Sequence, residues 1–199
     1  MLLDYHLHHA LKRATALYIS DASRFAMLFQ GIDSAVVESW RAKVVAKPPT
    51  VRLMGTQGPS DVQHLWVVSQ QGAQPLEAFL GSRRDLATFG GVETQRADVY
   101  SAARDPEMAM CLHVLARATI MAHHKNFLAG PYDSLQYEGF SGTTMEAEAI
   151  EEKLGLAVRI QNWSAIVSWS APNPESPVSL AWGVRAADAG GGVAPITGV

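Results

Sequence analysis

The stretch VETQRADVYSAARDPEMAMCLHVLARATIMAHHKNFL, residues 92–128, decides the fold. In its first part, 92–102, residues that would face one side of a strand alternate with residues that would face the other side. This period of two predicts a strand. Asp105 suits the N-cap of a helix, and Pro106 suits its first position. Apolar residues then recur at spacings of three and four. We therefore expect a central helix over about 105–128.

The segments on either side of this stretch extend it into a sheet. Two extended segments, 135–139 and 156–169, follow the central helix and complete a β-α-β-β unit. Upstream, 50–54 and 64–70 are predicted strands, because β-branched and aromatic residues are frequent in them.

Four other segments carry weaker signals. Residues 71–73 predict a turn, 75–80 a returning strand, and 81–91 a loop. Around Trp40 the pattern gives partial support for an extended segment.

Residues 2–30 predict an amphipathic N-terminal helix that is bent or broken near Ser20. The fold class is therefore α/β (α+β): a mainly antiparallel or mixed β-sheet, flanked by a long N-terminal helix and the central helix. We expect a single domain over 1–185 and a flexible Gly/Ala-rich arm over 186–199.

Composition and charge argue against several functional classes. Of the 199 residues, 48% are hydrophobic and 18% are charged, an ordinary globular balance. The net charge of −3 gives no electrostatic basis for binding a phosphate backbone. Cys111 is the only cysteine, so no internal disulfide can form. We expect a soluble protein made in the cytoplasm.

Few residues point to chemistry. His6 and His9 lie three apart on a predicted helix, but a transition-metal site needs three or four convergent ligands. Cys111 lies within a helical stripe, and His123 suits the dipole at a helix C-terminus. The glutamates of 146–152 lie in a polar connection and should be solvated. We predict no catalytic, cofactor-binding or metal-binding residue, no cofactor, and no enzyme activity.

Tryptophan is spread through the extended segments. Trp163 and Trp169 are separated by an even number of residues, so a regular strand would point both to one face. Burial in the core is one interpretation, and an oligomer interface is the other. The five tryptophans are Trp40, Trp66, Trp163, Trp169 and Trp182.

Several motifs occur in an order that is found in one group of virion proteins. An extended run and an amphipathic N-terminal helix precede them, and the motifs are Asp105-Pro106-Glu107, Leu112-His113-Val114-Leu115, Ser141-Gly142-Thr143 and Leu154-Gly155. In this order they resemble the neck or tail terminator proteins of contractile-tailed bacteriophages.

The resemblance implies a structural role in the virion neck. Such proteins form a ring, a hexamer, that caps the tail tube, stops its polymerisation and joins the tail to the head. The implied partners are further copies of the chain, the tail tube and sheath proteins, and head–tail connector or other neck proteins. DNA would pass through the channel, and no membrane is involved. The resemblance brings no catalytic residue.

A closed ring needs two different complementary patches on each subunit. We expect the 69–76 turn, the late tryptophans or the C-terminal arm to supply them, since an extended arm can add a strand to a neighbouring sheet. The candidate interface residues are Gln71, Gly72, Trp163, Trp169, Trp182, Gly190, Gly191 and Gly192.

Two alternatives stay open from the sequence. The chain could form another neck ring, such as a head-completion or connector protein, or be a subunit of the tail tube. It could instead be a small hydrolase that uses histidines and the carboxylates of 146–152. The hydrolase requires these groups to converge in one pocket.

Overall fold

The computed structural model describes residues 3–56, 62–80, 88–125, 132–139 and 145–172. The helices are α1 (Leu3–Leu11), a π-helical turn (Thr15–Ile19), α2 (Ala22–Met27), α3 (Ser34–Ala46), α4 (Pro106–Ala122) and α5 (Met145–Leu154). The strands are β1 (Thr50–Leu53), β2 (His64–Leu80), β3 (Thr88–Ala103), β4 (Tyr132–Gly139) and β5 (Ala157–Pro172). Across the described part of the chain, no helix combines the length and apolarity needed to cross a membrane.

The five strands form one mixed sheet in the order β1-β2-β3-β5-β4. β1 runs parallel to β2, with Thr50 opposite Leu65. β4 runs antiparallel to β5, with Leu135 opposite Ala165. The last strand in the sequence is therefore inserted between β3 and β4. This arrangement confirms the predicted α+β class with a mixed sheet.

Alternating residues of the central strands face two separate hydrophobic cores. On β3, Ala97 and Val99 belong to the first core, while Tyr100 and Ala102 belong to the second. Helices α1 to α4 pack on the first face, and α5 packs on the second. Burial on both faces explains why the strand residues are apolar on both sides rather than on one.

The central helix begins as the sequence predicts. The Asp105 carboxylate accepts a hydrogen bond from the backbone N–H of Glu107 at 2.9 Å, and Pro106 occupies the first turn. Its apolar stripe is buried, and the carbonyl of Leu112 accepts a hydrogen bond from the indole N–H of Trp66 at 3.2 Å. The helix ends at Ala122, earlier than predicted.

The predicted N-terminal helix is present, although α1 and the π-helical turn that follows it are shorter than the long helix that we expected. The predicted break near Ser20 is confirmed: the π-helical turn ends at Ile19, and α2 starts after Asp21. The Asp21 carboxylate accepts a hydrogen bond from the N–H of Arg24 at 3.0 Å, which caps α2.

The extended segment expected around Trp40 is wrong, because this residue lies within α3. The side chain of Asp33 accepts a hydrogen bond from the N–H of Ala35 at 2.7 Å and caps the helix. Val37, Trp40 and Val44 recur at spacings of three and four, and all three are buried. The helical period was therefore present in the sequence, although Val44 and its neighbours also favour strands.

The turn predicted at 71–73 is also wrong. β2 continues from His64 to Leu80 without reversing, so 75–80 is part of the same strand. Gly72 has a φ of +134°, which glycine tolerates without strain. The loop expected over 81–91 is replaced from Thr88 onward by the start of β3. The rest of that loop lies outside the described residues.

By packing, the chain divides into two units, Met1–Gln74 with Thr94–Val167 and Pro75–Glu93 with Ser168–Val199. The first unit contains both hydrophobic cores and all the described helices. The predicted boundary at 185 and the arm over 186–199 lie outside the described residues.

Candidate functional site

The histidines of α1 serve packing. The ring of His6 lies edge-on to the ring of Tyr132, with centroids 5.1 Å apart. Burial, followed by the nearby charge of His9, lowers the pKa of His6. His8 contacts the backbone of Val51 on β1, and burial is the main cause of its lowered pKa. These rings therefore attach α1 to the sheet.

The central helix carries a buried thiol, that of Cys111, and a half-buried imidazole, that of His113. Cys111 is fully buried, and burial raises the pKa of its thiol to about 12. Burial, with the charges of Arg159 and Arg117, lowers the pKa of His113 to about 4. The carbonyl of His113 accepts a hydrogen bond from the Gln161 side chain. At neutral pH both groups are therefore uncharged, and neither is activated as a thiolate or an imidazolium.

His123 is the C-cap of α4, as its position near the helix end predicted. Its Nδ1 lies 2.9 Å from the carbonyl oxygen of Thr119, to which it donates. The last carbonyls of a helix have no partner within the helix. His123 therefore satisfies one of them.

The polar connection that carries the glutamates of 146–152 forms a helix, α5. Ala147 and Ile150 are buried in the second core. Glu148, Glu151 and Glu152 are exposed on the other side of the helix. They form the acidic face of α5. It lies across the sheet from the histidines of α1 and α4, so the two sets do not converge in one pocket.

A cavity of about 380 Å³ lies where α3, β2 and α4 meet. It is lined by Lys43, Ala46, Lys47, Gln63, His64, Ala103, Arg104, Asp105 and Met108. Lys43 Nζ lies 3.4 Å from a carboxylate oxygen of Asp105. Of the described lining residues, Lys43, Lys47 and Arg104 are cationic and Asp105 is a carboxylate, so we call this the basic cavity. Within the described ranges, no group of three or more His, Cys, Asp or Glu side chains could hold a metal ion.

A partly buried polar network crosses three central strands. Asn162 on β5 donates to Asp98 on β3 at 2.7 Å, and Tyr100 donates to the other Asp98 oxygen at 3.4 Å. The side chain of Gln71 on β2 donates to the Tyr100 hydroxyl at 3.4 Å. The network fixes the register of β2, β3 and β5, because a shift by one residue would separate these groups.

The two edges of the described sheet differ. β1 has only four residues, and α1 packs against it. β4 has eight residues and irregular register at both ends, between Tyr132 and Ser134 and between Tyr137 and Gly139. Such bulges discourage pairing along a whole edge. The regular part of β4, residues 134–137, is the edge segment that a neighbouring strand could join.

The predicted interface residues fall into three groups. Gln71 and Gly72 are exposed within β2. Trp163 is fully buried in the first core. Of the two roles considered for it, core packing and an oligomer interface, its burial supports core packing. The Trp169 side chain, Trp182 and the three glycines of the arm lie outside what the structure describes.

Sequence reasoning missed the basic cavity. Lys43 and Lys47 belong to α3 and its C-cap, whereas His64 and Arg104 come from two other segments, and the three segments carry no shared motif. Among the described residues that line the cavity, the sequence singled out Asp105, but as a helix cap. In the structure Asp105 also contacts Lys43.

No protein-family model matches the chain. No curated protein matches it either. The order of the elements and the surfaces described above are therefore the features that bear on the function of this chain.

Proposed function

We propose that this chain is a structural protein of the neck of a contractile-tailed bacteriophage. Copies of it assemble into a ring that caps the tail tube, ends tail polymerisation and joins the tail to the head. In this role it contacts the tail tube and sheath proteins on one side and connector proteins on the other.

The order of elements is the observation that carries the proposal. β3 passes within two residues into the capped helix α4, and β4 and α5 follow. β5 then returns to lie between β3 and β4. This succession of strand, helix, short strand and long strand is the one on which the resemblance to tail terminators rests. Fold does not fix function, so the surfaces must support the proposal independently.

The surfaces suit a subunit that meets different neighbours on different sides. A ring with rotational symmetry joins two unlike patches of each copy. Residues 134–137 of β4 form the outer strand on one side of the described sheet. The basic cavity and the acidic face of α5 are two further, unlike surfaces. These unlike surfaces support a role in which each copy contacts different neighbours.

The test is the assembly state of the purified full chain. Light scattering should give a single species at six times the 21.5 kDa mass of the chain, and electron microscopy should show closed rings. Added to polymerising tube protein of the same phage, the rings should bind tube ends and stop elongation.

The other results of these measurements would contradict the proposal. Filaments formed by the chain alone would identify a tube subunit. Rings that bind connector proteins but not tube ends would identify another layer of the neck. A monomer at all concentrations would remove the basis for any ring.

A further inference from the structure

The outward side of α4 carries a row of exposed and half-buried residues, which we call the α4 stripe: Met110, Val114, Arg117 and Met121. Successive members are three or four residues apart, so their side chains lie on one face of the helix. Met110 is 39% exposed and Met121 is 48% exposed. The buried residues of α4 lie on its other side, in the first core. α4 therefore presents a partly apolar surface that points away from the sheet.

Two exposed arginines give this surface a positive charge. The guanidinium carbon of Arg117 lies 4.3 Å from the centre of the Tyr137 ring, a contact that positions the arginine but leaves its charge in place. Arg159 is two residues before Gln161 on β5, so both side chains point to the same face, and Gln161 donates to the carbonyl of His113 on α4. After burial, the charges of the two arginines lower the pKa of His113, so both lie near its ring. Neither arginine forms an ion pair with a described residue.

The charge of α4 itself is divided along its length. Its only carboxylate is that of Glu107, in the first turn. Arg117 lies ten residues further along, a distance of about 15 Å in a helix. Glu107 therefore does not neutralise Arg117, and the second half of the α4 stripe is positive.

The outward side of α5 carries a second row, which we call the α5 stripe: Met145, Glu148, Ala149 and Glu152. Met145 is 85% exposed, and both glutamates are exposed. Neither glutamate forms an ion pair with a described residue. Lys153, in the last turn, is the only cation in the sequence of this helix. The α5 stripe thus combines an exposed methionine with negative charge.

The two stripes have the same spacing. Met110 and Arg117 are seven residues apart, which is two turns of a helix, and so are Met145 and Glu152. If the two helices lie side by side in the same direction, methionine therefore meets methionine and arginine meets glutamate. The small side chain of Ala149 comes opposite Val114 and lets the helices approach closely.

We propose that the α5 stripe of one copy packs in parallel against the α4 stripe of the next copy, with Glu152 paired to Arg117 and Glu148 close to Arg159. The inference rests on the proposed function and names the contact that closes the ring. α4 packs on the first face of the sheet and α5 on the second, so one copy presents the two stripes on opposite sides. A head-to-tail interface requires two unlike patches in different places. Opposite charges also select the register of the contact.

The tail tube protein is the other partner that the α4 stripe could contact. The equal spacing and the opposite charges belong to two surfaces of one chain, and every copy carries both. The observations therefore favour a second copy as the partner, and the test includes the tube protein.

Charge reversals in the full chain test this contact. One variant carries Arg117→Glu, a second carries Glu152→Arg, and a third carries both. The control variant carries Arg13→Glu, which makes the same charge change as the first variant at an exposed position just after α1. Circular dichroism and thermal unfolding establish that each variant is folded. Light scattering at low and high salt gives its assembly state, and electron microscopy with added tube protein shows whether it binds tube ends.

We expect each single reversal to weaken assembly at least about tenfold, because like charges then face each other. The variant with both reversals should recover rings, since the exchanged pair again joins opposite charges. The control variant should form rings as the natural chain does. High salt should weaken the natural ring.

A cross-link tests the direction of the two helices. Chains with Met110→Cys, mixed with chains that carry Met145→Cys, should form a disulfide-linked pair under a mild oxidant, because these two positions meet in the parallel arrangement. Cys111 is fully buried and should not compete. Met27→Cys is the matched control, since Met27 on α2 is 65% exposed and lies outside both stripes, and it should not form the link.

Other results would overturn the inference. Rings of natural strength in both single variants would show that the contact lies elsewhere, while the proposed function would stand. An Arg117→Glu variant that keeps its ring but no longer binds tube ends would assign the α4 stripe to the tube protein. A double variant as weak as the single variants, or equal cross-linking of the Met27→Cys control, would exclude the pairing of the two stripes. A natural chain that stays monomeric would reject the proposed function itself, and this inference with it.

Discussion

The backbone N–H of Leu3 donates a hydrogen bond to the side-chain oxygen of Gln95 over 2.9 Å, although the two residues are 92 positions apart. Both are buried. The first N–H groups of a helix have no partner within the helix. Gln95 on β3 supplies one, so a strand side chain caps α1 and fixes its position on the sheet.

Gln95→Ala should lower the free energy of unfolding by about 1–3 kcal/mol, because it leaves a buried N–H of α1 without its acceptor. Denaturation in urea measures this change. Gln136→Ala is the matched control, since Gln136 is exposed on β4, and it should change the stability by less than about 0.5 kcal/mol. Equal effects of the two substitutions would contradict the assigned role of Gln95.

Cys111 should resist thiol reagents in the folded protein at pH 8 and react at once in denaturant. Burial raises the pKa of its thiol from 9.0 to about 12, so the folded state holds almost no thiolate at pH 8. Rapid modification of the native protein at that pH would refute the assignment.

The same thiol makes stability depend on alkaline pH. Its pKa is higher in the folded state than in the unfolded state, so its contribution is complete below pH 9 and is lost as the pH rises toward 12. Between pH 9 and 10 the loss should approach about 1.4 kcal/mol per pH unit. In Cys111→Ala this part of the slope should disappear, which urea denaturation at several pH values would detect.

His113 should titrate with a midpoint near pH 4 in the folded protein, as followed by NMR of its ring protons. Its pKa is lower when folded than when unfolded, so its contribution to stability is present above pH 6.5 and is lost as the pH falls toward 4. Arg159→Gln should raise the midpoint, because Arg159 is the largest charge effect after burial. Arg24→Gln, on the distant helix α2, should leave it unchanged.

The parts of the fold that the sequence predicted are those with a strong local signal. Asp105 and Pro106 define the start of α4 because a side-chain cap and a fixed φ act within a few residues. The break near Ser20 was also found, because Asp21 caps the helix that follows.

The errors arose where local and tertiary signals disagree. Gly72 favours a turn, but the chain stays extended there. Gln70 and Gly72 lie in the same unbroken strand. The hydrogen bond of the Gln71 side chain to Tyr100 on β3 helps to hold β2 in place beyond this glycine. A pattern confined to three residues contains no information about that partner. The helix at Trp40 was missed because its valines also suit strands.

The basic cavity was beyond sequence reasoning for a related reason. Lys47 ends α3, His64 begins β2, and Arg104 follows β3. Their meeting depends on the order of strands in the sheet, which nothing in the local sequence specifies. The glutamates of α5, by contrast, are clustered in the sequence. The structure shows that they lie on a helix and that three of them are exposed.

The insertion of β5 between β3 and β4 has a consequence for biosynthesis. β4 is bonded in the sheet only through β5, which comes last among the described elements. During translation, residues up to 156 can collapse and form helices, but a gap remains beside β3 until β5 has left the ribosome. A chain that stops before β5 therefore lacks the strand that joins β4 to β3, and its sheet stays incomplete.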